Sequence, residues 1–198
     1  FVFEAESGRI ASNTPPIVLV KPGNGPRHVI TSPDNRFVFV ANEMAGTVTT
    51  FALDAKTGLL TEVDSAPGVP PDANLVPGVV RNSQPGRNSD TDIWAADLHL
   101  TPDGRVLYLS ERTTSTLARF AVDAATGKLD YLGSTPTAKQ PRGFAIDPSG
   151  TFVIACGEKS NTISVYAIDA ASGALQPLAK YPTGKGASWV EIVSFERR

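Results

Sequence analysis

Nine polar residues carry the chemistry that this sequence offers: Arg27, His28, Glu43, Asp97, His99, Arg112, Arg142, Glu158 and Lys159. Carboxylate, imidazole and guanidinium together suit hydrolysis or ring closure at a carboxyl carbon. A carboxylate or imidazole activates water, while arginines neutralise the oxyanion and hold an anionic substrate. The planar fork of arginine is well matched to carboxylate or phosphate. Other chemistries find less support. There is no G-x-S-x-G elbow and no H-E-x-x-H pair, and nothing singles out the serine of a Ser-His-Asp triad. The one cysteine, Cys156, lies within an apolar run and reads as an inert core thiol, so no disulfide or cysteine-based metal site is expected within the chain. Asn88, Asp90 and Asp92 imitate the start of a calcium loop. The central glycine and the twelfth-position carboxylate are missing, so no metal is expected there. Gly23-Asn24-Gly25 has the composition of a phosphate loop but leads into a strand-like run, not a helix, and no cofactor is expected.

These residues need elements to position them, and the elements repeat. The stretch Gly25–Val63 recurs as Ala95–Leu132 and as Gln140–Leu178. Pro33, Pro102 and Pro148 occupy one position of the unit, and Gly58, Gly127 and Gly173 another. Both markers are spaced 69 and then 46 residues apart, so the first unit carries 23 extra residues. Each unit holds four short apolar runs, in the first His28–Thr31, Phe37–Ala41, Thr47–Leu53 and Leu59–Val63. They are rich in Val, Phe, Ile and Thr and too short for ordinary helices. Pro33-Asp34-Asn35, Pro102-Asp103-Gly104 and Pro148-Ser149-Gly150 supply tight turns, with Asn or Gly where φ turns positive. Asp54 to Gly58 and its two copies read as five-residue hairpin loops closed by a left-handed glycine. Four antiparallel strands in a unit of 40–50 residues are the signature of a β-propeller blade. The second run is apolar almost throughout, as expected for a strand buried between neighbouring blades.

The predicted fold is therefore all-β: three complete four-stranded blades, units 25–63, 95–132 and 140–178, in a single propeller domain over residues 1–198. Partial blades are expected at both ends. Residues 1–10 read as the end of a blade, Ile17–Val20 as a short outer strand, and 186–195 as a closing first strand. The insertion is placed at 64–94. The chain reads as the C-terminal portion of a longer propeller whose exposed edges would pair with the missing N-terminal half or with another chain. In up-and-down strands, the start of strand one and the end of strand two share a face. Arg27, His28, Glu43, Asp97, Arg112, Arg142 and Glu158 are thereby expected on one face near the central channel. The insertion, rich in Pro, Gly, Asn, Ser and Asp, falls on that face and is expected to act as a lid.

Composition narrows the partners. With 18 basic and 20 acidic residues the chain is nearly neutral, so neither nucleic acid nor an anionic membrane is expected. No apolar run reaches the roughly 18–20 residues of a membrane span. One cysteine fits a reducing cytoplasm.

The segments PRHVITSPDNRFVFVANE, WAADLHLTPDGRVLYLSER, QPRGFAIDPSGTFVIACGEKSNTISVY and GKGASWV together resemble the seven-bladed propeller lactonases. That family holds the cycloisomerase-type 6-phosphogluconolactonases and the fungal carboxy-muconate lactonising enzymes, and the resemblance runs from about Pro22 to the end. It implies a lactone hydrolase of sugar metabolism acting on a small anionic lactone. By matching motifs it implies catalytic roles for Arg27, Glu43 and Arg112; His28, Asp97, His99, Arg142 and Lys159, from their places on the inner strands and rim, are expected as substrate contacts. The family's proposed catalytic His lies in an earlier blade, upstream of residue 1, so activity is expected of the intact protein. A muconate-type cycloisomerase and a non-catalytic binding scaffold are the alternatives.

Overall fold

Each strand forms where an apolar run meets turn chemistry at both ends. The computed structural model describes residues 1–80 and 83–195, so positions 81 and 82 of the expected insertion lie outside the described residues. A two-stranded hairpin, β1 (Val2–Glu4) and β2 (Arg9–Ala11), comes first. Three four-stranded antiparallel sheets follow. Blade one holds β3 (Pro26–Thr31), β4 (Phe37–Asn42), β5 (Thr47–Leu53) and β6 (Leu60–Pro67). Blade two holds β7 (Ala95–Leu100), β8 (Val106–Glu111), β9 (Thr116–Val122) and β10 (Leu129–Pro136). Blade three holds β11 (Pro141–Ile146), β12 (Phe152–Gly157), β13 (Thr162–Ile168) and β14 (Leu175–Pro182). In each sheet, strands adjacent in sequence are adjacent in space. No helix among the described residues is long and apolar enough to cross a membrane.

The turns adopt the expected backbone. Asn35, Gly104 and Gly150 have φ of 55°, 74° and 71°. The hairpin glycine Gly127 has φ of 74°, and a Cβ there would lie 2.5 Å from the Phe37 ring. Only glycine meets both demands, so this turn locks blade two against blade one.

Burial on both faces of the second strand is confirmed. Every residue of β4 is buried. Phe37, Phe39 and Ala41 face blade two, where they pack with Leu98, Leu107, Leu109, Ala118 and Phe120. Val38 and Val40 face the opposite flank with Phe51. In β8 the alternation runs the same way, with Tyr108 joining Phe144, Val153 and Tyr166 of blade three. Hydrogen bonds repeat along with the cores. Arg36 donates to the Ala124 carbonyl at 2.5 Å and Arg105 to the Ala170 carbonyl at 3.0 Å, each reaching the outer hairpin of the next blade.

Three boundaries depart from expectation. The fourth strands run four residues further than their apolar runs, to Pro67, Pro136 and Pro182. As the outermost strand has no blade strand beyond it, polar residues such as Asp64-Ser65 continue the ladder at no burial cost. The insertion therefore follows Pro67, not Val63. Ile17–Val20 forms no strand. Pro15 and Pro16 immediately before it supply no amide N–H to a ladder, and Val20 instead packs on Val38, Val40 and Phe51. Residues 186–195 form no closing strand either. No described second strand lies beside them, and their close approach is to the β11 backbone, where a Cβ on Gly143 would meet Ser188 O at 2.8 Å.

Candidate active site

All three innermost strands break register at the same point. In β3 the pairing jumps between Pro26 and Val29, in β7 between Ala95 and Leu98, and in β11 between Pro141 and Phe144. The residues inside these bulges are Arg27-His28, Ala96-Asp97 and Arg142-Gly143. Successive residues of a regular strand point to opposite faces. A bulge re-aims them, and Arg27 Nη1 accordingly lies 2.8 Å from His28 Nε2.

Where the second strands end, one repeat position carries Glu43, Arg112 and Glu158 in turn. These alternating charges meet across the blade boundaries. Glu43 stands 3.8 Å from Arg27 Nε on one side and 3.8 Å from Arg112 Nη1 on the other. Arg112 donates a short hydrogen bond to Glu158, which also accepts from Arg142 at 2.8 Å. Burial works against charge on Glu158, but the hydrogen bonds and positive charge of Arg142 and Arg112 outweigh it and hold its carboxyl below the usual range. Arg112 is buried, its guanidinium carbon lies 5.1 Å from the Trp94 ring centre, and its Nε has no protein partner among the described residues. Both separations at Glu43 exceed hydrogen-bond length. Its oxygens thus feel two positive charges while their lone pairs stay open to a water or a substrate. Arg27, Glu43, Arg112 and Arg142 line a cavity of about 370 Å³, walled by Met44, Val79, Val80 and Trp94.

Val79 and Val80 come from the insertion, which lies over the charged rim. Gly78 N donates to Met44 O at 2.8 Å, and Val76 bridges to Asp92. Beside the first cavity, and sharing Val79, Val80 and Trp94 with it, lies a larger one of about 790 Å³. Gln84, Arg87, Asp92, Lys139, Gln140 and Lys159 are among its lining. The Asp92 carboxylate, read in the sequence as part of a failed calcium loop, takes a short hydrogen bond from Arg87. Glu111, which the topology places beside Arg112 at the end of the second strand, is fully buried and anchors this region. It accepts from Trp94 N at 2.8 Å, from Thr114 N at 2.6 Å and from Thr114 Oγ1 at 2.7 Å.

His28, Asp97 and His99 sit apart from the lining of either cavity. Asp97 is 3% exposed. Its Oδ1 lies 2.6 Å from His28 Nδ1 and accepts Leu98 N at 3.1 Å. Its Oδ2 lies 3.1 Å from His99 Nε2 and accepts Phe144 N at 3.3 Å. Burial alone would raise the Asp97 carboxyl, but the bonds and charge of His99, the His28 bond and the Phe144 amide together hold it low. His99 stands edge-on to Phe144 at 4.7 Å, and Trp189 approaches the His28 ring at 6.2 Å. The rim residues and Lys159 are thus brought to two adjoining cavities, whereas these three form a separate cluster. Cys156 is buried, its Sγ donates to Gly143 O at 3.3 Å, and burial pushes the thiol up, consistent with a core thiol.

Trp94 and the two valines, which wall both cavities, are among the lining residues that sequence reasoning missed. Their signal was present: Trp94 immediately precedes the second unit, and the insertion's only adjacent valines are Val79-Val80.

Meandering four-stranded blades packed side by side, carrying one asymmetric charged site at the rim of the inner strands, define a β-propeller with an active-site-like mouth. The chain belongs to the family described as "Lactonase, 7-bladed beta-propeller", whose model matches residues 1–192. It is 42% identical over 187 residues to the 6-phosphogluconolactonase of Serratia proteamaculans, covering 94% of this chain and 52% of that one. The Sodalis glossinidius 6-phosphogluconolactonase is 41% identical over 191 residues, covering 96% and 52%. The chain spans about half the length of the curated relatives it matches. Among solved structures, the periplasmic gluconolactonase of Pseudomonas aeruginosa superposes with TM-score 0.74 at 30% identity, over 92% of this chain and 47% of that one. A protein from Lactobacillus plantarum gives TM-score 0.75 at 30% identity, over 87% and 46%.

Proposed function

We propose that the whole protein is a lactone hydrolase of the 6-phosphogluconolactonase type, and that this chain supplies the water-activating and oxyanion-binding half of its site. The observation that carries the reading is the Glu43 carboxylate, held 3.8 Å from each of two arginines at the mouth of a cavity. Glu43 takes a proton from water as the water adds to the lactone carbonyl. Negative charge then collects on the carbonyl oxygen, where the fixed guanidinium groups of Arg27 and Arg112 stabilise it more than they stabilise the neutral carbonyl. The intermediate collapses with cleavage of the bond from carbonyl carbon to ring oxygen, and the ring oxygen leaves with the proton that Glu43 took from water.

Substrate binding falls to Arg142, at the cavity's edge, and to Lys159, in the adjoining cavity where a distal anionic group of the lactone would lie. The insertion walls both cavities and serves as the lid. The relatives' shared name favours a phosphorylated sugar lactone, and with it the pentose phosphate pathway. A cytoplasmic setting is supported by the single buried thiol.

The test is lactone opening by the whole protein on 6-phosphogluconolactone, on gluconolactone and on a muconate derivative. Selective hydrolysis of the phosphorylated lactone, abolished by Glu43→Gln, is the expected result. Turnover of the muconate alone would mean the cycloisomerase reading, and binding without turnover would mean the scaffold.

A further inference from the structure

Arg27 carries the lactonase reading above, yet the inner strand alone does not fix where its guanidinium points. We propose that His28 and Asp97 are positioning residues: a carboxylate–imidazole pair that aims Arg27 at Glu43 without contacting the substrate. The kinetic consequence rests on the lactonase reading; the structural claim does not.

The argument begins from donors and acceptors. A guanidinium only donates hydrogen bonds. Arg27 Nη1 lies 2.8 Å from His28 Nε2, so Nε2 must offer a lone pair. The imidazole proton is then on Nδ1, which is where Asp97 Oδ1 stands 2.6 Å away to receive it. Each contact demands the same tautomer, and neutral imidazole alone satisfies both. The same Nη1 also donates to the Ala96 carbonyl at 2.9 Å. Arg27 is therefore gripped on one nitrogen from two blades, while its Nε edge faces Glu43 at 3.8 Å. No protein group among the described residues bonds its Nη2, which leaves that nitrogen for a ligand.

Asp97 is unsuited to substrate contact. It is buried, and its two oxygens are already engaged by His28, Leu98 N, His99 and Phe144 N. Those partners come from β3, β7 and β11, so one carboxylate ties together the innermost strands of three blades. The groups facing His28 are Arg27 from its own strand, Asp97 from β7 and Trp189 from the C-terminal segment. Nε2 of His28 is occupied, so the residue is not free to act as a base.

The repeat shows that the arrangement is singular. The positions equivalent to Arg27-His28 are Ala96-Asp97 and Arg142-Gly143. Only the first bulge holds an arginine followed by an imidazole, and only the second holds the matching carboxylate.

The direct test is the nitrogen NMR spectrum of histidine-labelled protein near neutral pH, with the His28 resonances identified by their loss in His28→Gln. A protonated Nδ1 and a bare Nε2 are expected. A proton on Nε2, or an imidazolium, overturns the proposal whatever the enzyme's rates. The second arm compares two variants on 6-phosphogluconolactone. Gln can set its amide oxygen near the place of Nε2 and keep an acceptor for Arg27; Asn can reach Asp97 but offers nothing to Arg27. His28→Asn should lose about 10- to 100-fold in kcat with little change in KM, and His28→Gln should lose about tenfold less. Equal losses accompanied by a raised KM would make His28 a substrate contact and overturn positioning. If the wild type opens no lactone, the lactonase reading fails, and the spectrum still decides the tautomer.

Discussion

Replacing Tyr108 by Phe should weaken the fold at neutral pH and weaken it less at alkaline pH. Tyr108 lies on β8, fully buried, and its hydroxyl donates to the Gly173 carbonyl at 2.6 Å, joining blade two to the outer hairpin of blade three. Removing the hydroxyl leaves a buried carbonyl unpaired, at a cost of about 1–3 kcal/mol. Burial also pushes the Tyr108 hydroxyl up from 10.0 to about 12. A folded value above the unfolded one means that the unfolded chain releases its proton first. The stabilisation is complete below pH 10 and is lost as pH rises through about 12. At about 1.4 kcal/mol per unit, roughly 2–3 kcal/mol is lost in full and about half of that by pH 11. Tyr108→Phe has no such loss, while the other three tyrosines are common to both proteins. Urea unfolding at pH 8 and pH 11 should therefore show the gap between wild type and variant shrinking by about 1–2 kcal/mol. A gap that stays constant or widens would refute the burial argument.

Gly127→Ala should destabilise by about 1–3 kcal/mol, because φ is 74° and the new methyl would lie 2.5 Å from the Phe37 ring; an unchanged thermal midpoint would contradict the close packing between blades. Glu158→Gln should cost about 1–3 kcal/mol near neutral pH, below the full cost for a deeply buried pair because Glu158 is partly exposed. Its carboxyl is held below the ordinary 4.5, so its contribution is present above that value and disappears as pH falls through the lower folded one. Urea midpoints of wild type and Glu158→Gln should accordingly converge on acidification, and parallel curves would count against the charge network.

The blades were legible because their signals are local. Pro33, Asn35, Gly58 and their copies mark turns by chemistry that any one copy would show, and an apolar β4 announces burial on both sides. The rim charges were legible because up-and-down strands return to one face at fixed intervals, which put Glu43, Arg112 and Glu158 together before any coordinates. The bulges were not. An extra residue in β3, β7 and β11 changes no hydrophobic pattern, since the bulged residues are polar or small and lie at the start of the strand. For that reason Arg27 and His28 were placed on one face of the propeller but not recognised as hydrogen-bonded partners. The ends of β6, β10 and β14 were hidden by the same logic in reverse, because an outermost strand has no burial pattern to lose. Trp94 was missed because its role depends on where the insertion returns, and a loop rich in Pro and Gly does not specify its own path.

The most direct test of the account is the rate of 6-phosphogluconolactone opening by the whole protein and its Glu43→Gln variant, with unfolding curves run in parallel. Gln keeps the size of the side chain and removes the proton acceptor between Arg27 and Arg112. The account predicts a fall in kcat of at least about 100-fold, with the unfolding midpoint unchanged. A variant that opens the lactone at the wild-type rate would contradict it.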